Sequence, residues 1–162
     1  MLEIRKAEEA DFDDIWRIFH QVVAKGDTYT FDPETSREEA LGIWTVKPWT
    51  PYVALDKARV VGTFKLGPNM PDLGDHVANA GFMVDPASRK KGVGRAMGEF
   101  ALKEAARLGY KAMQFNFVVS TNKVAVKLWL DLGFEIMATM PEAFRHKEKG
   151  LVDIHIMHRM LG

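Results

Sequence analysis

The residues Arg89-Lys90-Lys91-Gly92-Val93-Gly94-Arg95 concentrate the chemistry of this chain. Cationic side chains surround two glycines. The segment lies between an apolar run that stops at Asp85-Pro86 and a helical periodicity that starts near Val93. A helix start leaves backbone N–H groups unpaired and carries partial positive charge. Glycine lets the backbone approach an anion closely. The pattern predicts a phosphate or pyrophosphate site. A basic, glycine-containing surface turn fits the same residues. Two nucleotide patterns fit poorly. A P-loop ends in Gly-Lys-Ser/Thr, which is absent, and Gly92, Gly94 and Gly98 match a dinucleotide fingerprint only loosely.

Two further residues stand out. Asn79 and Asn116 are polar positions inside apolar runs. A carboxamide can bind a carboxylate, an amine or a carbonyl oxygen, but it is no base near neutral pH. A water held by Asn79 could take that role. Satisfying a local backbone group is the alternative for each. The five histidines show no metal-ligand spacing. There is no cysteine, which excludes disulfides, thiolate zinc sites and a cysteine nucleophile. No metal is expected.

The elements that must position these residues can be read from period and punctuation. Leu2 and Ile4 suggest a first strand. Ile15, Ile18, Phe19 and Val22 form one helical face, with Asp11 as its cap. Ser36 and Glu39 form a capping box before a second helix. Tyr52 to Leu55 and Val60 to Leu66 read as a hairpin, and His76 to Val84 as a further strand. A long helix from Val93 to Leu108 should bury Val93, Met97, Phe100, Ala101, Ala105 and Leu108. Ala112 to Val119 is a strand, and Asn122 to Leu132 a helix. Phe134 to Met140 and Val152 to Met160 close the chain as strands, with Phe144-Arg145-His146 in the loop between them. The unit from His76 to Val119 is a right-handed βαβ crossover, so its two strands should be parallel. The whole reads as a mixed α/β sheet with helices on both faces.

The 162 residues suit a single domain, 1–162, with ordinary 47% hydrophobic and 27% charged content. Lys plus Arg and Asp plus Glu both number 22, so no global field favours nucleic acid or an anionic membrane. No apolar run approaches the roughly 18 residues of a membrane helix, and no signal-peptide stretch opens the chain. The expectation is a cytoplasmic protein.

The basic turn resembles the pyrophosphate motif of the GCN5-related N-acetyltransferase (GNAT) family, [Arg/Gln]-x-x-Gly-x-[Gly/Ala]. Phe82-Met83-Val84-Asp85-Pro86 looks like the strand that leads to it. Asn122-Lys123-Val124-Ala125-Val126-Lys127-Leu128-Trp129-Leu130-Asp131-Leu132-Gly133-Phe134 resembles the family's second block, Asn-x-x-Ala-x-x-Leu-Tyr-x-x-Leu-Gly-Phe. Order and separation agree, and the element order matches nearly the full chain. The resemblance implies a mostly antiparallel seven-stranded sheet with a central splayed parallel pair and about four helices. Asn79-Ala80-Gly81-Phe82, Phe115-Asn116-Phe117-Val118 and Thr121-Asn122 are also similar to a subgroup that includes a yeast enzyme acetylating proline-like analogues such as azetidine-2-carboxylate.

What the resemblance implies is transfer of acetyl from acetyl-CoA to an amine by direct attack. Met83, Val84, Arg89, Lys90, Lys91, Gly92, Val93, Gly94, Arg95, Asn122 and Lys127 would bind the cosubstrate. Backbone N–H groups near Met83 and Val84 would polarise the thioester carbonyl, a donor effect of about 3–4 kcal/mol. Positioning two bound reactants contributes about 7–11 kcal/mol, so a strong side-chain base is not essential. Asn79 and Asn116 are the catalytic candidates. Phe31, in Tyr29-Thr30-Phe31-Asp32-Pro33, and Arg145 with His146 are the acceptor-binding ones. Many members carry Tyr, which protonates the departing thiolate, where this chain has Trp129. Indole is no practical acid, which leaves solvent, the incoming amine or a donor such as Ser120. The implied partner is a small-molecule amine, with room for a homodimer. Acetylation of a protein amine and non-catalytic acyl-CoA binding are the other readings.

Overall fold

The computed structural model describes residues 1–162. Its elements follow in chain order as β1 (Leu2–Lys6), α1 (Phe12–Ala24), α2 (Arg37–Thr45), β2 (Thr50–Asp56), β3 (Arg59–Pro68), β4 (Val77–Val84), α3 (Val93–Arg107), β5 (Ala112–Val119), α4 (Lys123–Asp131), β6 (Glu135–His146) and β7 (Gly150–Met160). One seven-stranded sheet has the order β1-β2-β3-β4-β5-β7-β6. Every neighbouring pair is antiparallel except β4 and β5, which are parallel.

The parallel pair opens almost at once. Only Val77 with Ala112 and Ala78 with Met113 are in register. Further along, β5 is bulged between Phe115 and Val118, and a bulge bends its strand. On one face the gap is floored by aromatics: Phe82 lies 4.9 Å from Trp129, and Phe115 lies 4.7 Å from it.

Helices cover both faces. On one, α1 and α2 bury Ile15, Ile18, Phe19 and Trp44 against Val53 and Met83. On the other, α3 and α4 bury Met97, Ala101 and Trp129 against Phe64, Met113 and Phe115. The Ser36–Glu39 capping box forms at α2, with reciprocal bonds of 3.1 and 3.0 Å.

Three local expectations need correcting. Asp11 precedes α1 but does not cap it with its side chain; the carboxylate accepts Glu8 N–H and Arg5 instead, both at 2.7 Å. Leu108 lies beyond the end of α3 and is 48% exposed. Phe144-Arg145-His146 belong to β6, not to the loop. The strand continues through Pro141 because β6 is the sheet edge, where a missing N–H breaks no ladder bond.

Candidate active site

The basic turn is held from below by Asp85, which is 2% exposed. Its carboxylate accepts Arg17 Nη1 at 2.8 Å, Arg59 Nη2 at 3.2 Å and Ala87 N–H at 3.0 Å. Burial alone would raise its pKa, but Arg17, the Ala87 amide and Arg59 outweigh burial and hold it below the ordinary range. From this anchor the chain rises to exposed Arg89, Lys90 and Lys91, which enter none of the ion pairs. Gly92 has φ +77°, the left-handed conformation, at the cap position of α3. A Cβ there would meet nothing within 4 Å, so backbone conformation, not crowding, calls for glycine. At Gly94 a Cβ would make only ordinary contacts, 3.6 Å to Leu128 and 3.8 Å to Val84.

The first helical bond runs from Ala96 N–H to Gly92 C=O at 3.0 Å. The N–H groups of Val93, Gly94 and Arg95 therefore have no partner within the helix. Arg95 and Lys127 meet the same Asp131 carboxylate, at 3.3 and 2.9 Å. Lys127 chiefly, with Arg95, holds Asp131 below its ordinary pKa. Asn122 caps α4 by accepting Ala125 N–H at 3.3 Å. Beside it, Thr121 Oγ1 is buried without a partner.

The gap beside the turn exposes main chain. Asp85 N–H donates to Val61 C=O at 2.9 Å and Asn69 N–H to Val77 C=O at 2.8 Å. With the constant β3–β4 register, the odd-numbered residues of β4 bond to β3. The N–H groups of Ala80, Phe82 and Val84 therefore face β5, which has turned away. Met83 N–H points to β3 opposite Thr63, and the Met83 side chain is buried against α1. Ala80 N–H is taken by Asn79 Oδ1 at 2.7 Å. The Tyr29 hydroxyl donates to Phe82 C=O at 2.7 Å, and burial pushes that hydroxyl's pKa up, so it stays protonated.

Ala78, Ala80, Met113 and Phe115 pack into the core under α3 and α4. By alternation Asn79, Gly81, Gln114 and Asn116 face the α1–α2 side. Over this face lies the segment between α1 and α2, where Phe31 stacks on Tyr29 at 5.6 Å and on Phe19 at 5.4 Å. Gly81 leaves a hollow: a Cβ there would sit 3.4 Å from Tyr29 Oη, 3.6 Å from Trp44 and 3.7 Å from Lys65. Burial lowers the Lys65 pKa to about 8; its ammonium lies 4.2 Å over the Trp49 ring. At the far side Phe117 meets Phe144 at 6.2 Å, and Phe144 meets His146 at 6.3 Å. His146 Nδ1 accepts the N–H groups of Glu148 and Lys149, both at 3.1 Å, so the neutral ring carries its proton on Nε2. Lys147 N–H donates to Gly26 C=O at 2.9 Å and ties the β6–β7 turn to the α1–α2 segment.

The fold thus gathers Phe31, Asn79, Asn116 and His146 around one face. Arg145 alternates to the side of β6 opposite Phe144 and His146 and is not brought to it. Trp129 is 7% exposed and packs among Phe82, Phe115 and Phe134. Two residues escaped the sequence reading. Lys65 had a signal, as the lone charge in an apolar run. Asn69 had none: it sits in a Gly67-Pro68-Asn69 connector, yet its Oδ1 accepts Asn79 Nδ2 at 3.2 Å and Asn116 Nδ2 at 2.7 Å.

Comparison with known proteins places this geometry. The chain superposes on a GCN5-related N-acetyltransferase from Kribbella flavida with a TM-score of 0.95, at 45% identity over 99% of this chain and 98% of that one. It shares its fold with a GNAT superfamily phosphinothricin acetyltransferase from Sinorhizobium meliloti, solved in complex with AcCoA; the TM-score is 0.88 at 23% identity, over 99% of this chain and 89% of that one. The N-acetyltransferase aca1 of Schizosaccharomyces pombe is 38% identical over 101 residues, 62% of this chain. That match spans only 48% of the longer yeast protein. Residues 12–134 match the Acetyltransferase (GNAT) family. The chain therefore belongs to the GNAT acetyltransferases, enzymes that take their acetyl group from acetyl-CoA.

Proposed function

We propose that residues 1–162 form one acetyltransferase domain that transfers acetyl from acetyl-CoA to the amine of a small molecule, with amino acids and proline analogues as the acceptor class. The observation that carries this reading is the splayed β4–β5 gap, with unpaired main-chain N–H groups on one strand and a walled acceptor face beside it. Acetyl-CoA supplies an activated thioester. The residues that would hold it are the amides of Val93, Gly94 and Arg95 with the cations Arg89, Lys90 and Lys91 for the pyrophosphate. Lys127 suits a further phosphate and Asn122 the chain beyond. The N–H groups of Phe82 and Val84 are the donors available to polarise a carbonyl in the gap.

The acceptor would enter from the α1–α2 side, past Phe31, Asn79, Asn116 and His146. The Lys147–Gly26 tie walls off one end of this face, which favours a small amine over an extended peptide. Neither Asn79 nor Asn116 is a base, and Trp129 is no acid. Catalysis would rest on positioning and main-chain electrostatics, with protons exchanged through water or Ser120. The equal cationic and anionic counts and the absence of cysteine suit a cytoplasmic setting.

The test is CoA release from acetyl-CoA with a panel of amino acids, proline analogues, other small amines and lysine-containing peptides. Turnover should concentrate on the small amines. Preference for peptides would move the reading to protein acetylation. Binding of acetyl-CoA without release by any amine would move it to a non-catalytic acyl-CoA module.

A further inference from the structure

Lys65 brings a primary amine of the protein itself to the acceptor face. It stands on β3 opposite Gly81 of β4. Gly81 has no side chain, so the stem of Lys65 lies across β4 there. Its Cε is 3.7 Å from where a Gly81 Cβ would sit, beside Tyr29 Oη and Trp44. The next residue along β4 is Phe82, whose N–H faces the gap. The Lys65 stem therefore ends one residue from a main-chain donor of the gap.

The surroundings of this amine are unusual for a lysine. Lys65 enters none of the ion pairs of the protein. The side chains around it are the rings of Trp49, at 4.2 Å, and Trp44, at 5.6 Å, with the uncharged Tyr29 hydroxyl near its stem. Its one hydrogen bond is a donation to Ile43 C=O at 3.2 Å. No donor is aimed at Nζ, so the lone pair of the neutral amine is left unused. Burial is what lowers its pKa, to about 8. At pH 8 about half of these amines are neutral, against roughly 0.3% at the ordinary value of 10.5. Desolvation in an apolar pocket is one way a lysine becomes a nucleophile. Rotation about the last bonds of the side chain swings Nζ off Ile43 while the stem stays on Gly81.

We propose that Lys65 is an internal acetyl acceptor: with acetyl-CoA in the gap and no external amine present, the domain acetylates its own Lys65 Nζ. This rests on the reading that the acetyl end of the cosubstrate lies beside the Phe82 and Val84 amides. The Nζ lone pair attacks the thioester carbonyl carbon. A C–N bond forms, the C–S bond breaks, and CoA leaves as the thiolate. The proton shed by Nζ reaches that thiolate through water, so the products are acetyl-Lys65 and CoA thiol. The new amide keeps one N–H for Ile43 C=O but can no longer be charged. Its acetyl group fills the hollow over Gly81 and narrows the acceptor face. The modification is self-limiting at one per chain, and a bound external amine protects against it.

The experiment incubates the wild-type chain with acetyl-CoA at pH 8 without any amine. Acetyl-lysines are mapped against time by peptide mass spectrometry. The controls are the same protein unfolded in urea and the Gly92→Val variant at acetyl-CoA below saturation. Lys65 should gain its acetyl group at least about tenfold faster in the folded wild type than in either control. Its rate should rise with pH and level off above about 8, where burial has already freed the amine. Lys65 left unmodified while calorimetry shows acetyl-CoA bound would overturn the proposal and leave the cosubstrate reading intact. Equal rates in folded protein, urea and Gly92→Val would overturn it as ordinary solution acetylation. A chain that binds no acetyl-CoA would overturn the cosubstrate reading and this inference with it.

Discussion

Single side chains at the gap act through what they orient or fill. Asn79 uses its oxygen on Ala80 N–H and its nitrogen on Asn69, so removing it leaves a strand amide and a connector both undirected. Asn79→Ala should lower kcat/KM for the best amine about 10- to 1000-fold, or about 1.4–4 kcal/mol of transition-state stabilisation. Acetyl-CoA affinity, measured by calorimetry, should hold, because the α3 amides are untouched. A rate within twofold of wild type would make Asn79 a strand residue only. The family resemblance sets Trp129 where a proton-donating Tyr would stand, and here the indole is packed among three phenylalanines. Trp129→Phe should therefore lower the melting temperature while keeping most of the turnover per folded enzyme. A hundredfold loss in a folded variant, about 2.7 kcal/mol of barrier, would show that the indole takes part in the reaction.

Among the elements, the start of α3 and its anchor matter most. Gly92 holds φ +77°, which costs a residue with a β-carbon roughly 1–2 kcal/mol, more for a branched one. Gly92→Val should either rotate the turn, misdirecting the amides of Val93 to Arg95, or shift strain into it. Titration calorimetry should show acetyl-CoA binding weakened at least about tenfold, a change of about 1.4 kcal/mol, and unchanged affinity would remove this turn from the cosubstrate site. Beneath the turn, Asp85 connects α1 through Arg17, β3 through Arg59 and the turn itself through Ala87. Position along the chain thus places the turn after β4, while side chains from two other elements fix its angle.

At the scale of the molecule, a buried carboxylate and a half-buried ammonium shape the pH dependence of stability. Asp85 has a folded pKa below its ordinary value, so its contribution is complete above the unfolded pKa and is lost as the pH falls through the folded one. Asp85→Asn should flatten the acid limb of urea-derived stability below about pH 5. Lys65 has the opposite sense: its ammonium loses its proton near 8 when folded and near 10.5 when unfolded. Between those values the unfolded chain holds more protons, so this group makes stability rise with pH, and Lys65→Met should remove that rise from the same measurement. The pattern of residues alone determined the order of elements, the two helix-covered faces, the capping box at Ser36 and Glu39, and the place of the basic, glycine-containing turn at the start of α3. Each depends on neighbours within one or two turns of chain, where periodicity, caps and glycines act. It also put Asn79 and Asn116 on two adjacent strands. Only the tertiary structure decided what those amides do. The opening of β4 from β5, the Ala80 N–H left without a strand partner, the reach of Asn69 from its connector, and the turn of Arg145 away from His146's face all depend on strand pairing between distant segments. Register and splay are set by how bulges and aromatic packing distribute across the whole sheet, and local sequence carries no record of a hydrogen bond left unmade.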